Sequence, residues 1–125
     1  MRRPRINLIR LEEELSEVHL RLSTVTIENL PWPDYVKRYD RKRTFFYLDP
    51  PYYKAPYYQH NLELKDYEQM ASILTQIKAK FILSINDHPE IRTIFSDFNI
   101  KPVTLKYSVS RREQTTGKEL LVWNF

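Results

Sequence analysis

The chain has 125 residues, with 20 Lys and Arg against 16 Asp and Glu, which leaves a net charge of +4. That length suits one modest domain, and that charge biases the surface only mildly toward anionic partners. The chain has no cysteine and a single glycine, Gly117. This excludes disulfides, thiolate metal sites and thiol nucleophiles, and every glycine-rich loop of the GxGxxG, GxxxxGK(S/T) or GxSxG type. Apolar residues make up 42% of the chain, enough for a core, and aromatics, including nine tyrosines, reach 14%. No apolar run approaches membrane length and no signal peptide is read at the start, so a soluble, cytoplasmic protein is expected.

Repeats, low-complexity tracts and Ser/Gly linkers are absent. The expected organisation is an N-terminal helical arm, residues 1–24, followed by one α/β body, residues 25–125. The first five residues are basic and broken by Pro4. Leu8, Leu11, Leu15, Val18 and Leu22 then recur at spacings of three and four, the stripe of an amphipathic helix. Residues 25–28 alternate weakly and read as a short strand. Pro31 and Pro33 punctuate the chain before a short helix at 34–39, and Arg41, Lys42 and Arg43 form a basic run.

Residues 44–48, Thr-Phe-Phe-Tyr-Leu, read as a buried strand. Pro50 and Pro51 stop it, because proline lacks the ladder N–H. A tyrosine-rich loop follows to His60. A helix over 64–78 would turn Tyr67, Met70, Ala71, Leu74 and Ile77 inward, and 81–85 read as a second buried strand. The next helix is predicted to have Asp87 as N-cap, Pro89 in its first turn and Glu90 closing a capping box. Its core stripe would be Ile91, Ile94, Phe95 and Phe98. Residues 103–109 and 120–125 read as the last two strands, with 110–118 as a polar hairpin loop ending near Gly117. Strand–helix alternation predicts a largely parallel sheet with helices on its faces, the last strand antiparallel.

Ligand sites in open parallel sheets lie beyond the carboxyl ends of strands. Asp49-Pro50-Pro51-Tyr52 stands at one such end and Ser84-Ile85-Asn86-Asp87 at the next. The first tetrad suits chemistry on an exocyclic amine. That nitrogen is a poor nucleophile, since its lone pair is delocalised into the ring. Asp49 can accept one amine hydrogen and the Pro50 carbonyl the other, so two fixed acceptors favour the positive charge that grows during attack. The prolines aim the carbonyl in advance, and Tyr52 can stack on a base taken out of its duplex. The plainer alternative is a strand stop in which Asp49 satisfies loop amides.

Phe45-Phe46-Tyr47-Leu48-Asp49-Pro50-Pro51-Tyr52-Tyr53 closely resembles the catalytic segment of adenine-N6 DNA methyltransferases, the Dam-like D12 class common in bacteria and phages. Phe81-Ile82-Leu83-Ser84-Ile85-Asn86-Asp87-His88 resembles that family's following strand. Tyr107-Ser108-Val109 and Gly117-Lys118-Glu119-Leu120-Leu121 resemble its terminal hairpin, and Arg21-Leu22 with Val25 to Asn29 resembles the segment before the catalytic strand.

The resemblance implies a partial Rossmann-like methyltransferase sheet, S-adenosylmethionine as methyl donor and a flipped adenine in DNA as acceptor. By position it makes Asp49, Pro50, Pro51 and Tyr52 the catalytic set, with Asp49 also near the cofactor. Glu28 and Asn29 fall where the family contacts the cofactor's adenosine, although an ordinary strand end explains them equally well. Tyr53, Lys106, Arg111 and Arg112 are the candidate nucleic-acid contacts. Tyr53, Tyr57 and Tyr58 either line a nucleotide channel or pack their loop against the sheet, and packing is expected for at least one of them. His19, His60 and His88 are too scattered for a metal site.

The family's FxGxG-type motif and target-recognition domain have no counterpart here. The chain is therefore expected to be the C-terminal part of such an enzyme, weak or inactive alone. In the family the catalytic strand pairs with the glycine-motif strand. Residues 44–48 should then form an exposed apolar edge that the N-terminal helix, the 25–28 strand, a second copy or a complementing subunit covers, with self-association through this edge expected. Two other readings stand beside this one: a non-catalytic module binding DNA or a partner subunit, and a methyltransferase acting on RNA or another amine.

Overall fold

A computed structural model describes residues 7–56, 59–110 and 113–125, with 107–110 and 113–116 described by backbone alone. Tyr57, Tyr58, Arg111, Arg112 and the basic first residues lie outside the described residues. The chain divides into two compact units, the second of which is Trp32–Phe125.

The first unit is built on helix α1, Leu8–Leu22. Asn7 caps its start, accepting the Arg10 N–H at 3.3 Å, and the Ser23 hydroxyl closes its end on the Leu20 carbonyl at 2.7 Å. The predicted strand at 25–28 does not form. The Val25 N–H turns back to the Leu22 carbonyl at 3.0 Å, which commits it to the helix exit rather than to a ladder.

The second unit opens with α2, Trp32–Tyr39. It starts two residues before the predicted Asp34, because Pro33 fits a first helical turn, where no N–H is needed. Strand β1, Phe45–Leu48, follows, then α3, Leu64–Gln76, and β2, Lys80–Asn86. Helix α3 stops short of Lys78 because the Asp40 carboxylate accepts the N–H groups of Lys78 and Ala79, both at 2.8 Å. Helix α4, Pro89–Ile94, and the long hairpin of β3, Asn99–Ser110, and β4, Glu113–Trp123, complete the unit.

The described sheet has the order β1-β2-β4-β3. Strands β1 and β2 are parallel, and β4 lies antiparallel between β2 and β3. Three strands therefore run one way and the last made runs against them, as the alternation predicted. Phe81, Leu83 and Ile85 of β2, Leu120 and Val122 of β4, Tyr67 and Leu74 of α3, and Ile91 and Phe95 at α4 are almost wholly buried together. Asn124, just past β4, fastens the head of β2: its Oδ1 accepts the Phe81 N–H at 2.9 Å and its Nδ2 donates to the Ala79 carbonyl at 3.0 Å.

Two expectations change here. Residues 113–118, expected in a loop, belong to a strand. The ladder continues from Thr104↔Lys118 to Ser110↔Glu113, and Gly117 sits inside β4 opposite Leu105. Gln114, Thr115 and Thr116 carry no apolar alternation, so hydropathy does not mark them as strand. Strand β1 is only half a buried strand. Phe46 is buried, but Phe45 and Tyr47 are 53% and 64% exposed. Its single described neighbour is β2, so β1 forms one edge of the sheet.

Candidate active site

The carboxyl ends of β1 and β2 carry the tetrad and its supports. Tyr47, the last residue but one of β1, brings its hydroxyl 3.1 Å from the Ser84 hydroxyl of β2. Ser84 in turn donates to Asp49 Oδ1 across 3.4 Å. A hydroxyl has one proton, so when Ser84 gives it to Asp49 the Tyr47 O–H donates to Ser84. This chain orients one carboxylate oxygen weakly. Asp49 is exposed, and among the described residues it makes no other hydrogen bond. Among the described residues no loop amide donates to its carboxylate, which differs from the plainer reading of the tetrad.

The prolines behind Asp49 end the β1–β2 ladder, whose last pair is Leu48↔Leu83. Side chains take over from it. The Tyr67 hydroxyl of α3 donates to the Pro51 carbonyl at 2.8 Å. Asn86, at the end of β2, accepts the Tyr53 N–H at 2.8 Å and donates to the Tyr53 carbonyl at 2.9 Å. One side-chain amide thus replaces two ladder bonds that the prolines cannot make. The Pro50 carbonyl, the second acceptor proposed for an amine, receives no hydrogen bond from the described residues.

Tyr52 is half-buried, and its hydroxyl donates in a short bond to Glu119 Oε1 of β4. Glu119 is 7% exposed. A carboxylate so buried needs hydrogen-bond donors, and the phenol supplies one while fixing the far end of the Tyr52 ring. Past Tyr52 the chain makes a tight turn, the Ala55 N–H meeting the Tyr52 carbonyl at 3.4 Å. Lys54 sits in that turn with φ 55, a left-handed conformation that costs a non-glycine residue about 1–2 kcal/mol. Its ammonium offsets part of this by reaching Glu90 at 3.4 Å and lying 5.0 Å from the centre of the Tyr53 ring. Glu90 interacts with the Tyr53 phenol, and this, followed by burial, raises the phenol above its ordinary pKa.

The sequence-predicted residues divide accordingly. Asp49, Pro50, Pro51 and Tyr52 form one corner at the rim of the sheet. Tyr53 is 8% exposed, with its ring edge-on to Tyr67 and His88, so it packs against the core. Lys106 is exposed on β3, in the part of the hairpin beyond the last β2–β4 pair, Asn86↔Glu119. Glu28 and Asn29 belong to the other unit, in irregular chain. Three residues that sequence reading left out of the site, Tyr67, Asn86 and Glu119, hold the corner in shape. Asn86 was visible as part of a polar strand end, but nothing in the sequence pairs Glu119 with Tyr52, 67 residues away.

The helix after β2 also differs from expectation. His88, not Asp87, is the N-cap of α4, its Nδ1 accepting the Glu90 N–H at 3.3 Å. Asp87 instead takes a two-point ion pair with Arg92 at 2.6 and 2.7 Å, which outcompetes a cap made to a neutral N–H. Arg92 holds the Asp87 carboxyl below its ordinary range, against the opposing effect of burial. The unfolded carboxyl titrates near about 3.9. A depressed folded value means that the pair's stabilisation is complete above that pH and is lost as pH falls through the folded value. Asp87→Asn is expected to flatten the acid limb of stability below about pH 4, read as the urea midpoint against pH.

The second unit is thus an α/β sheet with an acid–diproline–tyrosine corner at its rim. Residues 2–109 match the family model of the D12 class N6 adenine-specific DNA methyltransferase. The match spans most of the chain, which belongs to that family, and adenine-N6 methylation of DNA is the activity at the level of the family. A comparison with curated protein sequences finds no match. Among the described residues no helix is long and apolar enough to cross a membrane, and no cluster of His, Asp and Glu is arranged to hold a metal ion.

S-adenosylmethionine, the methyl donor that the family implies, fits these residues poorly on their own. Its aminoacid end and sugar need close backbone approach and fixed donors. The chain's one glycine lies in β4, opposite Leu105. Of the candidate cofactor contacts, Asp49 belongs to the sheet unit and Glu28 and Asn29 to the other.

Proposed function

We propose that the corner holds the exocyclic amine of a flipped adenine in DNA for methylation at N6. Asp49 accepts one amine hydrogen and the Pro50 carbonyl the other, and both acceptors favour the charge that develops on the nitrogen as its lone pair leaves the ring. Tyr52, fastened through its hydroxyl to Glu119, is the stacking surface for the base. Lys106, with Arg111 and Arg112, supplies phosphate contacts. The exposed Asp49 carboxylate, engaged among the described residues only by a long bond from Ser84, is the observation that carries this reading.

The proposed methyl donor is S-adenosylmethionine, held mostly by a complementing polypeptide that adds its glycine-motif strand along the free edge of β1. Exposed Phe45 and Tyr47 support that edge as the seam. Incubation with labelled S-adenosylmethionine and duplex DNA tests the reading. The chain alone is expected to transfer label at background level, and a D12-class polypeptide carrying the glycine motif should restore N6-methyladenine. Preferential labelling of RNA, or of cytosine in DNA, would overturn the assignment. Failure of the mixture to label adenine would count against the complementing seam and the amine role together.

A further inference from the structure

Helix α1 presents an apolar stripe that its own unit leaves uncovered. Leu8, Leu11, Leu15, Val18 and Leu22 are each between 41% and 73% exposed, and no residue of the helix is buried. Their spacing of three, four, three and four is the seam of a two-stranded coil. We propose that α1 pairs with α1 of a second copy, antiparallel, making the chain a weak homodimer.

The charges flanking the seam select the occupant and its direction. Glu12 and Glu14 border the first half of the stripe, and His19 and Arg21 border the second. Antiparallel packing of Leu15 against the partner's Val18, and of Leu11 against the partner's Leu22, sets Glu14 beside the partner's Arg21. It also sets Glu12 beside the partner's His19, and two-fold symmetry makes each contact twice. Sliding one helix by a heptad toward its start brings Glu12 to Glu12 and Glu14 to Glu14, which repel. A parallel pair aligns the acidic halves of both helices and their dipoles head to head. Glu14 already bonds Arg10 at 2.9 Å through Oε1, which leaves Oε2 for the partner. Glu13 and Glu17 on the outer surface disfavour an anionic lipid surface as the occupant.

The four layers are few, so a dissociation constant of about 10–100 µM is expected. Sedimentation equilibrium of the full chain tests it. Leu15→Glu with Val18→Glu should leave a monomer at every concentration, with the thermal unfolding of the sheet unit unchanged. Glu14→Arg and Arg21→Glu should each weaken the dimer about fivefold, and the two together should restore it, because the exchanged charges face each other only in the antiparallel register. Three outcomes would overturn the proposal: a wild-type monomer up to about 1 mM, a dimer indifferent to Leu15 and Val18 but lost on Tyr47→Lys at the sheet edge, or no restoration in the double exchange.

Discussion

Replacing Asn86 with leucine is expected to lower the unfolding free energy by about 2–5 kcal/mol, a large part of the roughly 5–15 kcal/mol of a domain this size. Leucine keeps the volume and removes both hydrogen bonds to Tyr53. The Tyr53 N–H and carbonyl then stay behind, partly buried and unpaired, beside a residue that is itself in the core. Each orphaned group costs about 1–3 kcal/mol. Asn86→Asp keeps an acceptor for the N–H and loses the donor to the carbonyl, so it should fall between wild type and Asn86→Leu. Urea unfolding at neutral pH measures all three. Equal stabilities would mean that the prolines alone hold the corner.

Asp49→Ala is expected to lower methyl incorporation by the complemented enzyme by about 10²–10³-fold, the usual cost of removing one fixed group that stabilises developing charge. Stability should barely change, because Asp49 is exposed and its one contact in the described residues is long. The pairing of the two readouts is informative. A parallel loss of stability and activity would mark Asp49 as a structural residue, whereas loss of activity alone fits an acceptor for the amine. Initial rates with labelled donor, together with a thermal melt of the same preparation, separate these outcomes.

The sequence made the corner legible because its signals are local. A strand of Phe, Tyr and Leu, an acid and two prolines occupy seven consecutive residues, and each acts locally. What the sequence hid is what acts at a distance. Tyr67, Asn86 and Glu119 fasten the corner from α3, β2 and β4, and their residue types are ordinary at such positions. The extent of the hairpin was hidden because apolar alternation is the strand signal, and residues 113–118 carry none. The strand expected at 25–28 failed for a related reason: weak alternation cannot supply a ladder partner, and Val25 had a nearer one in Leu22. At α4 two local rules competed. Asp87 satisfied the pattern for a cap, but the guanidinium of Arg92 offered a stronger, two-point bond.

The placement of β4 between β2 and β3 has a consequence for folding. Among the described strands β4 is the last in chain order yet lies inside the sheet, so β2 and β3 have no common neighbour until it is added. Leu120 and Val122 of β4 then seal the core. A chain without β4 would expose two unmatched strand edges and invite aggregation or proteolysis. Assembly waits on pairings far apart along the chain, which slows it.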